Sequence, residues 1–197
     1  HRDEGVLLFA DATSPPLDDA GNGASARWGD YDNDGRLDLY LLNWGGSAKL
    51  FRNEGGGAFS DVTAGALGIS GNVCDLAWGD ADNDGDSDLY VTRTNGQSNV
   101  FLRNDGPGGF VDATSAPLGY AGESRGAVWG DYDLDGDVDL YIAANLGNRL
   151  FRNDGAGSFV DVTSGPLGNS GGQGSGAAWG DYDNDGDLDL YLANRNR

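Results

Sequence analysis

The feature that most constrains the fold of this chain is a unit of about 50 residues that recurs four times. A tryptophan stands directly before Gly-Asp in every copy, at Trp28, Trp78, Trp129 and Trp179. Successive tryptophans lie 50, 51 and 50 residues apart. A second block, related to LFRNDGAGSFVDVT, follows each of the first three copies and starts at Leu50, Phe101 and Leu150. A fixed period of this length indicates supersecondary units that bury their apolar faces by stacking on their neighbours.

Each copy predicts four short strands. The first runs into the tryptophan, and the second follows an acidic loop with alternating apolar and polar residues, as in LDLYL at residues 37–41. The third is the LFRN segment, and an Asn, Asp or Glu before Gly then marks a hairpin turn into the fourth, the FxDVT segment. Four strands in about 50 residues are typical of a propeller blade. We therefore predict an all-β, four-bladed β-propeller with four strands per blade.

The fourth copy reaches Arg197 without its second block, and the matching half-unit stands at the other end of the chain. Residues 1–13, HRDEGVLLFADAT, align without a gap to FRNEGGGAFSDVT at residues 51–63. We therefore predict a closed ring in which residues 1–13 pair with the C-terminal strands and complete the last blade. The predicted blades of this single domain span about residues 24–66, 74–117, 125–167, and 175–197 together with 1–17. The same half-unit could instead complete the last blade of a second copy, a strand exchange that leads to filaments.

Charge and composition narrow the possible partners. The 32 acidic side chains outnumber 12 basic ones, which gives a formal net charge of -20. A field of this sign repels nucleic acids and anionic membranes, so neither is expected as a partner. No apolar run approaches the ~18 residues of a membrane helix, so no membrane span is predicted. The single cysteine, Cys74, rules out a disulfide within the chain.

The acidic residues concentrate in four loops of the pattern D-x-D-x-D-G-x-x-D, which start at Asp30, Asp80, Asp131 and Asp181. Calcium takes six to eight hard oxygen ligands, and alternate residues of a tight loop can turn their carboxylates inward. Glycine at loop position 6 permits the sharp bend, and the backbone carbonyl at position 7 offers a further oxygen. Without a cation, two carboxylates ~5 Å apart repel each other by roughly 3 kcal/mol at an effective dielectric constant of 20.

These loops predict four structural Ca²⁺ sites, one per blade. The predicted side-chain ligands, at loop positions 1, 3, 5 and 9, are Asp30, Asp32, Asp34, Asp38, Asp80, Asp82, Asp84, Asp88, Asp131, Asp133, Asp135, Asp139, Asp181, Asp183, Asp185 and Asp189. The predicted backbone-oxygen ligands at position 7 are Arg36, Asp86, Asp137 and Asp187. A solvated acidic turn is the plain alternative, and four copies in one register argue against it. An EF-hand needs a glutamate at position 12 between helices, where this chain has Leu41, Val91, Ile142 and Leu192.

The segments WGDYDNDGDLDLYLAN and RLFRNDGAGSFVDVT resemble the FG-GAP/VCBS repeat family. This family includes the calcium-binding blades of integrin α-subunit propellers and many bacterial extracellular proteins. The resemblance covers nearly the whole chain and implies propeller blades with calcium bound in the loop between the first two strands. It also implies that the loop aspartates named above are the ligands. Most propellers of the family have about seven blades, whereas this chain shows four, so a fragment of a larger ring is the alternative to a minimal ring.

Repeated residues outside the ligand set carry structural predictions. The tryptophans are expected to pack between blades rather than to form platforms for sugars. Tyrosines at loop position 2 are expected to face solvent as candidates for a ligand surface, in a series that Ala81 interrupts: Tyr31, Tyr132 and Tyr182. Arginines before the hairpin turns are expected to pair with acidic neighbours: Arg2, Arg52, Arg103 and Arg152. Aspartates two residues before threonine are expected to close turns: Asp11, Asp61, Asp112 and Asp161. Cys74 is expected to be a buried thiol, and Arg27 and Asp75 fit the crowded inner strands poorly.

The sequence offers little for catalysis. The one histidine, His1, is a weak candidate for copper and cannot serve in a convincing triad, and Lys49 stands alone. The loop carboxylates are committed to a metal cage without an open position. We therefore expect a non-catalytic module for binding, adhesion or self-assembly, located outside the cell where calcium is abundant. A lectin with pockets between blades is the alternative, and a polysaccharide-active enzyme is the third hypothesis.

Overall fold

The computed structural model describes residues 13–168 and 173–195, and most of their regular structure is β-strand. The first sheet contains β1 (Gly23–Gly29), β2 (Asp38–Asn43), β3 (Lys49–Gly55) and β4 (Ala58–Asp61). The second contains β5 (Val73–Gly79), β6 (Asp88–Arg93), β7 (Val100–Asn104) and β8 (Phe110–Asp112). The third contains β9 (Ser124–Gly130), β10 (Asp139–Ala144), β11 (Arg149–Asn153) and β12 (Phe159–Asp161). The described strands of the fourth are β13 (Gln173–Gly180) and β14 (Asp189–Arg195).

Each sheet is an antiparallel meander in which consecutive strands are hydrogen-bonded neighbours. The prediction of an all-β chain with four strands per repeat is confirmed for the first three sheets. The helical segments among the described residues are short 3-10 turns at Gly65–Leu67, Gly106–Gly108 and Gly165–Gly168. None of them is long and apolar enough to cross a membrane. Residues 1–13 were expected to complete the last blade. Residues 1–12 lie outside the described residues, so ring closure stays a prediction.

Neighbouring sheets pack through a repeated contact between a tyrosine ring and a tryptophan ring. Each tyrosine lies on the second strand of one sheet, and each tryptophan lies on the first strand of the next. The ring centroids are 6.1 Å apart in Tyr40–Trp78, 6.2 Å in Tyr90–Trp129 and 6.1 Å in Tyr141–Trp179. The three tyrosines are fully buried, and their hydroxyls donate to the backbone carbonyls of Leu67, Leu118 and Leu167. The predicted packing of tryptophans between blades is therefore confirmed at these three interfaces.

A glycine of the preceding sheet makes room for each of these indoles. A Cβ atom would lie 2.8 Å from Trp78 if placed on Gly29, 2.7 Å from Trp129 on Gly79 and 2.6 Å from Trp179 on Gly130. Real side chains do not pack this closely, so the Gly of each of the first three Trp-Gly-Asp triplets is required by the indole of the next sheet. The recurrence of the triplet thus has a packing reason.

The first sheet presents an unpacked tryptophan on its outer face, and the last sheet presents the glycine and tyrosine against which such a tryptophan packs elsewhere. Trp28 on the first sheet is 53% exposed, and Tyr191 on the last sheet is 75% exposed. In the described part of the chain, no heavy atom lies within 4 Å of the Cβ position of Gly180. The surface that Trp28 presents is therefore complementary to the surface that Gly180 and Tyr191 present.

The first strands of all four sheets line one cavity of about 610 Å³. Small residues allow the strands to approach, since a Cβ atom on Gly126 would lie 3.0 Å from the Cα atom of Gly176. Arg27 and Asp75 form an ion pair of 2.7 Å across the first two sheets at this cavity. The mutual pairing explains how two charged residues are accommodated on inner strands.

Candidate metal centre

Each acidic loop folds around its own first aspartate. In the first loop, Asp30 accepts the backbone N–H of Asp34 at 3.1 Å and that of Gly35 at 2.9 Å. The same two bonds recur in the other loops, from Asp80, Asp131 and Asp181. Gly35 has a φ of +84°, a left-handed conformation that favours glycine, which explains the glycine at loop position 6.

The aspartate at loop position 9 begins the second strand, and it is buried in the first three sheets. In the second loop, Asp88 accepts the N–H of Asn104 at 2.8 Å with Oδ1 and that of Ala81 at 2.8 Å with Oδ2. The equivalent pairs of bonds form at Asp38 and Asp139. Two backbone donors therefore hold a buried carboxylate at the base of each of the first three loops.

The folded loops bring together the aspartates of positions 1, 3 and 9. In each loop, one carboxylate oxygen of each of the three lies within 4.8 Å of the other two. The four groups are Asp30, Asp32 and Asp38; Asp80, Asp82 and Asp88; Asp131, Asp133 and Asp139; and Asp181, Asp183 and Asp189.

The aspartates of position 5 stand outside these groups, and each accepts the backbone N–H of position 7. The bonds are 2.9–3.0 Å long, and their acceptors are Asp34, Asp84, Asp135 and Asp185. The predicted ligand roles of these carboxylates, and of the position 7 carbonyls of Arg36, Asp86, Asp137 and Asp187, stay predictions.

Burial and mutual repulsion raise the pKa values of five of the gathered carboxyls. Burial is the largest cause at Asp88, whose pKa rises to about 7, and at Asp139, whose pKa rises to about 6, and neighbouring loop aspartates add to both shifts. Burial is also the first cause of the raised pKa values of Asp32, Asp38 and Asp82. An opposite charge among these groups would favour their ionised forms.

The donor set fits a hard divalent cation. The gathered atoms are all carboxylate oxygens, which are the ligands that Ca²⁺ and Mg²⁺ take. In the second loop, Oδ1 of Asp82 is buried and has no hydrogen-bond partner among the described residues. A cation at the centre of the group would satisfy that oxygen. Calcium fits better than magnesium, because Mg²⁺ keeps several waters and resists a cage this rich in protein oxygens.

The tyrosines at loop position 2 do not all face solvent, contrary to the expectation. Tyr31 is half-buried between the first two sheets, with its ring centroid 6.2 Å from that of Phe110. Tyr132 is also half-buried and Ala81 is fully buried, whereas Tyr182 is 81% exposed. Position 2 points toward the neighbouring sheet, which is why these side chains are covered.

Asparagines that the sequence analysis did not single out connect neighbouring sheets. Asn104 donates to the carbonyl of Tyr31 at 2.9 Å, and Asn153 donates to the carbonyl of Ala81 at 2.7 Å. In the other direction, Asn33 and Asn83 at loop position 4 donate to the loop of the next sheet. The recurrence of Asn at these places is visible in the sequence, but it does not show that the bonds cross between sheets.

Several smaller predictions are confirmed. The arginines pair with acidic neighbours at 2.6 Å in Arg52–Glu54, Arg103–Asp105 and Arg152–Asp154. The turn aspartates accept the N–H of the threonine two residues on at 3.0 Å, at Asp61, Asp112 and Asp161.

Two side chains differ from the expectation. Lys49 pairs with Asp61 at 2.8 Å, so it does not stand alone. Cys74 is half-buried rather than buried, and burial raises the pKa of its thiol. His1, Arg2 and Asp11 lie outside the described residues.

A pocket of about 620 Å³ lies between the first two sheets, next to the first acidic loop. The rings of Tyr31 and Phe110, the carboxylates of Asp32 and Asp86 and the amide of Asn33 contribute to its wall. The corresponding pocket between the second and third sheets is smaller, at about 190 Å³. The first pocket therefore combines aromatic faces with hydrogen-bonding groups.

Comparisons with known proteins agree with this architecture. A family model described as an FG-GAP-like repeat matches the chain three times, at residues 30–91, 82–142 and 131–192. No curated protein sequence matches the chain. Among solved structures, the chain is similar to a lectin of Agrocybe aegerita, described by its specific recognition of non-reducing terminal N-acetylglucosamine, with 19% identity and a TM-score of 0.56. The match covers 86% of this chain and 46% of the lectin chain, so this chain spans about half of it. At this identity the likeness supports a β-propeller-like fold and does not extend to the ligand.

Proposed function

This chain belongs to the FG-GAP-like repeat family, and on that premise we propose that it is a calcium-stabilised, non-catalytic β-propeller that binds a protein or glycan partner outside the cell. The observation that carries the proposal is the group of three carboxylates that each of the four loops gathers within 4.8 Å. Four loops with one geometry, at equivalent places in four sheets, indicate one shared role for these groups.

The role we assign to calcium is structural. When bound, it supplies a double positive charge that offsets the repulsion among the loop carboxylates. The aspartates of positions 1, 3 and 9 would hold the ion, and the buried position 9 carboxylate would connect it to the second strand. Loop and sheet are thereby stabilised together, because the same carboxylate accepts two backbone N–H groups.

Two arguments support a non-catalytic, extracellular module. A cage that engages its carboxylates with a structural ion leaves none of them for acid–base work, and Lys49 is engaged with Asp61. Multiple loop-bound calcium sites suit the millimolar calcium outside cells. Turnover of a polysaccharide by the purified protein would contradict the non-catalytic assignment.

Calcium removal tests the structural role. We expect EDTA to lower the melting temperature, since the freed carboxylates would repel one another in the folded loops. Thermal unfolding is followed by circular dichroism with EDTA, with EDTA plus excess calcium and with EDTA plus excess magnesium. Full recovery in calcium and partial recovery in magnesium is the expected result. An unchanged melt after verified removal of calcium would contradict the proposal.

We further propose that the four sheets form a closed ring, with residues 1–13 completing the last blade. The complementary surfaces of Trp28 and Tyr191, and the cavity shared by all four first strands, support this arrangement. Exchange of residues 1–13 between copies is the alternative. Sedimentation in millimolar calcium separates the two, because a ring is a monomer of 20.5 kDa and exchange gives larger species.

A glycan is the second candidate partner, and the pocket between the first two sheets favours it. Aromatic faces next to carboxylate and amide groups are a combination that suits the apolar faces and hydroxyls of a sugar. The test is a glycan array with the Tyr31→Ala variant, and with Tyr132→Ala as a position 2 control outside this pocket. Binding that survives Tyr31→Ala, or no binding at all, would exclude this pocket as a sugar site.

A further inference from the structure

The side chain at loop position 4 reaches from one acidic loop into the next. Nδ2 of Asn33 in the first loop lies 2.6 Å from Oδ1 of Asp86 and 3.2 Å from the carbonyl oxygen of Gly85. Both acceptors belong to the second loop, at positions 7 and 6. A single amide group therefore bridges two candidate metal loops.

The same bridge forms between the second and third loops. Nδ2 of Asn83 lies 2.5 Å from Oδ1 of Asp137 and 3.5 Å from the carbonyl oxygen of Gly136. Donor and acceptors occupy the same loop positions as in the first bridge. The arrangement thus follows from the register of the repeat.

The backbone at position 4 aims the amide out of its own loop. Asn33 and Asn83 have φ values of +57° and +59°, in the left-handed region that asparagine tolerates better than most residues. The backbone of the same loop is held by its first aspartate through positions 5 and 6. The position 4 side chain is therefore available for the neighbouring loop.

The third loop lacks this bridge, and it supplies a natural control. Its position 4 residue is Leu134, which has the same left-handed backbone, with a φ of +61°, and a side chain that is 58% exposed. Leucine has no polar side-chain group to offer to Asp187 of the fourth loop. The third and fourth loops are neighbours without an amide between them.

We propose that Asn33 and Asn83 are positioning residues that couple cation binding in one loop to cation binding in the next. The inference rests on the calcium role proposed above. Residue 137 shows how the coupling would work, because it is held from two sides. Its N–H donates to Asp135 of its own loop at 2.9 Å, and its carboxylate accepts the Asn83 amide of the preceding loop. Residue 86 is held in the same way by Asp84 and Asn33.

Coupling follows because the backbone carbonyl of position 7 is a predicted ligand of the ion in its own loop. An ion that orders this residue in one loop favours the bridge, and the bridge then orders the loop that donates it. Thermodynamic linkage makes the effect reciprocal. The first three loops are therefore expected to fill as a coupled set, and the fourth loop is expected to fill independently of the third.

Calcium-dependent hydrogen exchange measures the occupancy of each loop separately. Peptides that cover residues 30–38, 80–88, 131–139 and 181–189 are followed as calcium is raised, and each gives a midpoint concentration. Asn33→Gly removes the first bridge and Asn83→Gly the second, and glycine keeps the left-handed backbone. Each substitution is expected to raise the midpoints of the two loops that it disconnects by about twofold to tenfold, the equivalent of one typical intramolecular hydrogen bond.

Leu134→Gly is the matched control, because it makes the same backbone change where no bridge exists. The ratio between the calcium midpoints of the third and fourth loops is expected to be the same as in the unmodified protein. Asp137→Ala removes the side-chain acceptor of the second bridge while it keeps the backbone carbonyl, and its effect is expected to be non-additive with that of Asn83→Gly. This variant also replaces Asn83→Gly if the latter does not fold.

Two outcomes overturn the inference and can be told apart. Midpoints that do not move in the bridge variants, while all loops still respond to calcium, would show that the loops bind independently. Loops of the unmodified protein that show no response to calcium would refute the calcium role itself, and the coupling with it.

Discussion

The loop aspartates have identical side chains, but they make different contacts according to their position in the loop. The first aspartate of each loop accepts the backbone N–H groups of positions 5 and 6. In the first three loops, the ninth is buried at the start of a strand between two N–H donors. In the second loop, the third aspartate, Asp82, has a buried carboxylate oxygen without a hydrogen-bond partner in the part of the chain that the structure describes. The fifth supports position 7. Substitutions within a single loop are therefore expected to differ in effect.

The third loop gives a direct comparison of positions 5 and 7. We expect Asp135→Ala to weaken calcium binding by more than about tenfold, because it removes a predicted ligand and the acceptor that holds the N–H of residue 137. Asp137→Ala removes the acceptor of the Asn83 bridge and keeps its backbone carbonyl, so the loss should be smaller. Calorimetric calcium titration of the two variants measures the difference. Equal losses would contradict the assignment of a side-chain ligand at position 5.

At the scale of strands and sheets, the interfaces are copies of one another. The first strand of each following sheet places an indole over a glycine and beside a buried tyrosine of the preceding sheet. Amides reinforce these interfaces, since Asn153 is fully buried and donates to the carbonyl of Ala81 across the sheets. In the described part of the chain, Trp28 on the first sheet and Gly180 and Tyr191 on the last sheet are not packed in this way.

A pair of glycine substitutions tests whether those outer faces meet. Gly79→Ala is expected to destabilise the protein by about 1–3 kcal/mol, because the new methyl group would lie 2.7 Å from Trp129. Gly180→Ala should cost as much if Trp28 packs on it in a closed ring. Urea unfolding with saturating calcium measures both variants. A Gly180→Ala variant as stable as the unmodified protein would show that the ring is open at this point.

At the scale of the whole molecule, net charge and calcium are connected. The formal net charge is -20 at pH 7, and four divalent ions add eight positive charges, which gives -12. The calcium-free chain therefore carries a larger self-repulsion in the compact state. Screening by salt acts on that repulsion, so the two forms should respond differently to ionic strength.

Native mass spectrometry and salt-dependent melting test this connection. We expect four calcium ions per chain, and we expect sodium chloride to raise the melting temperature of the calcium-free form more than that of the loaded form. The physical reason is that the loop carboxylates of the loaded form are already neutralised locally. Fewer than four ions per chain, or equal salt effects on both forms, would contradict four structural sites.

The amino-acid sequence by itself determined the repeat, the strands and the acidic loops. These features follow from local chemistry: the side-chain alternation of strands, the left-handed bend that glycine allows, and carboxylates at alternate positions of a tight turn. The family resemblance and the four-stranded sheets were predictable for the same reason.

Only the tertiary structure decided which residues meet across sheets. It covered Tyr31, paired Arg27 with Asp75 and aimed Asn33 and Asn83 at the loops that follow. Partners of this kind lie about 50 residues apart, and local patterns carry no information on how one sheet is stacked on the next. The contacts were decided by close packing, which brings each loop against its neighbour and places the indoles of Trp78, Trp129 and Trp179 over a glycine of the preceding sheet.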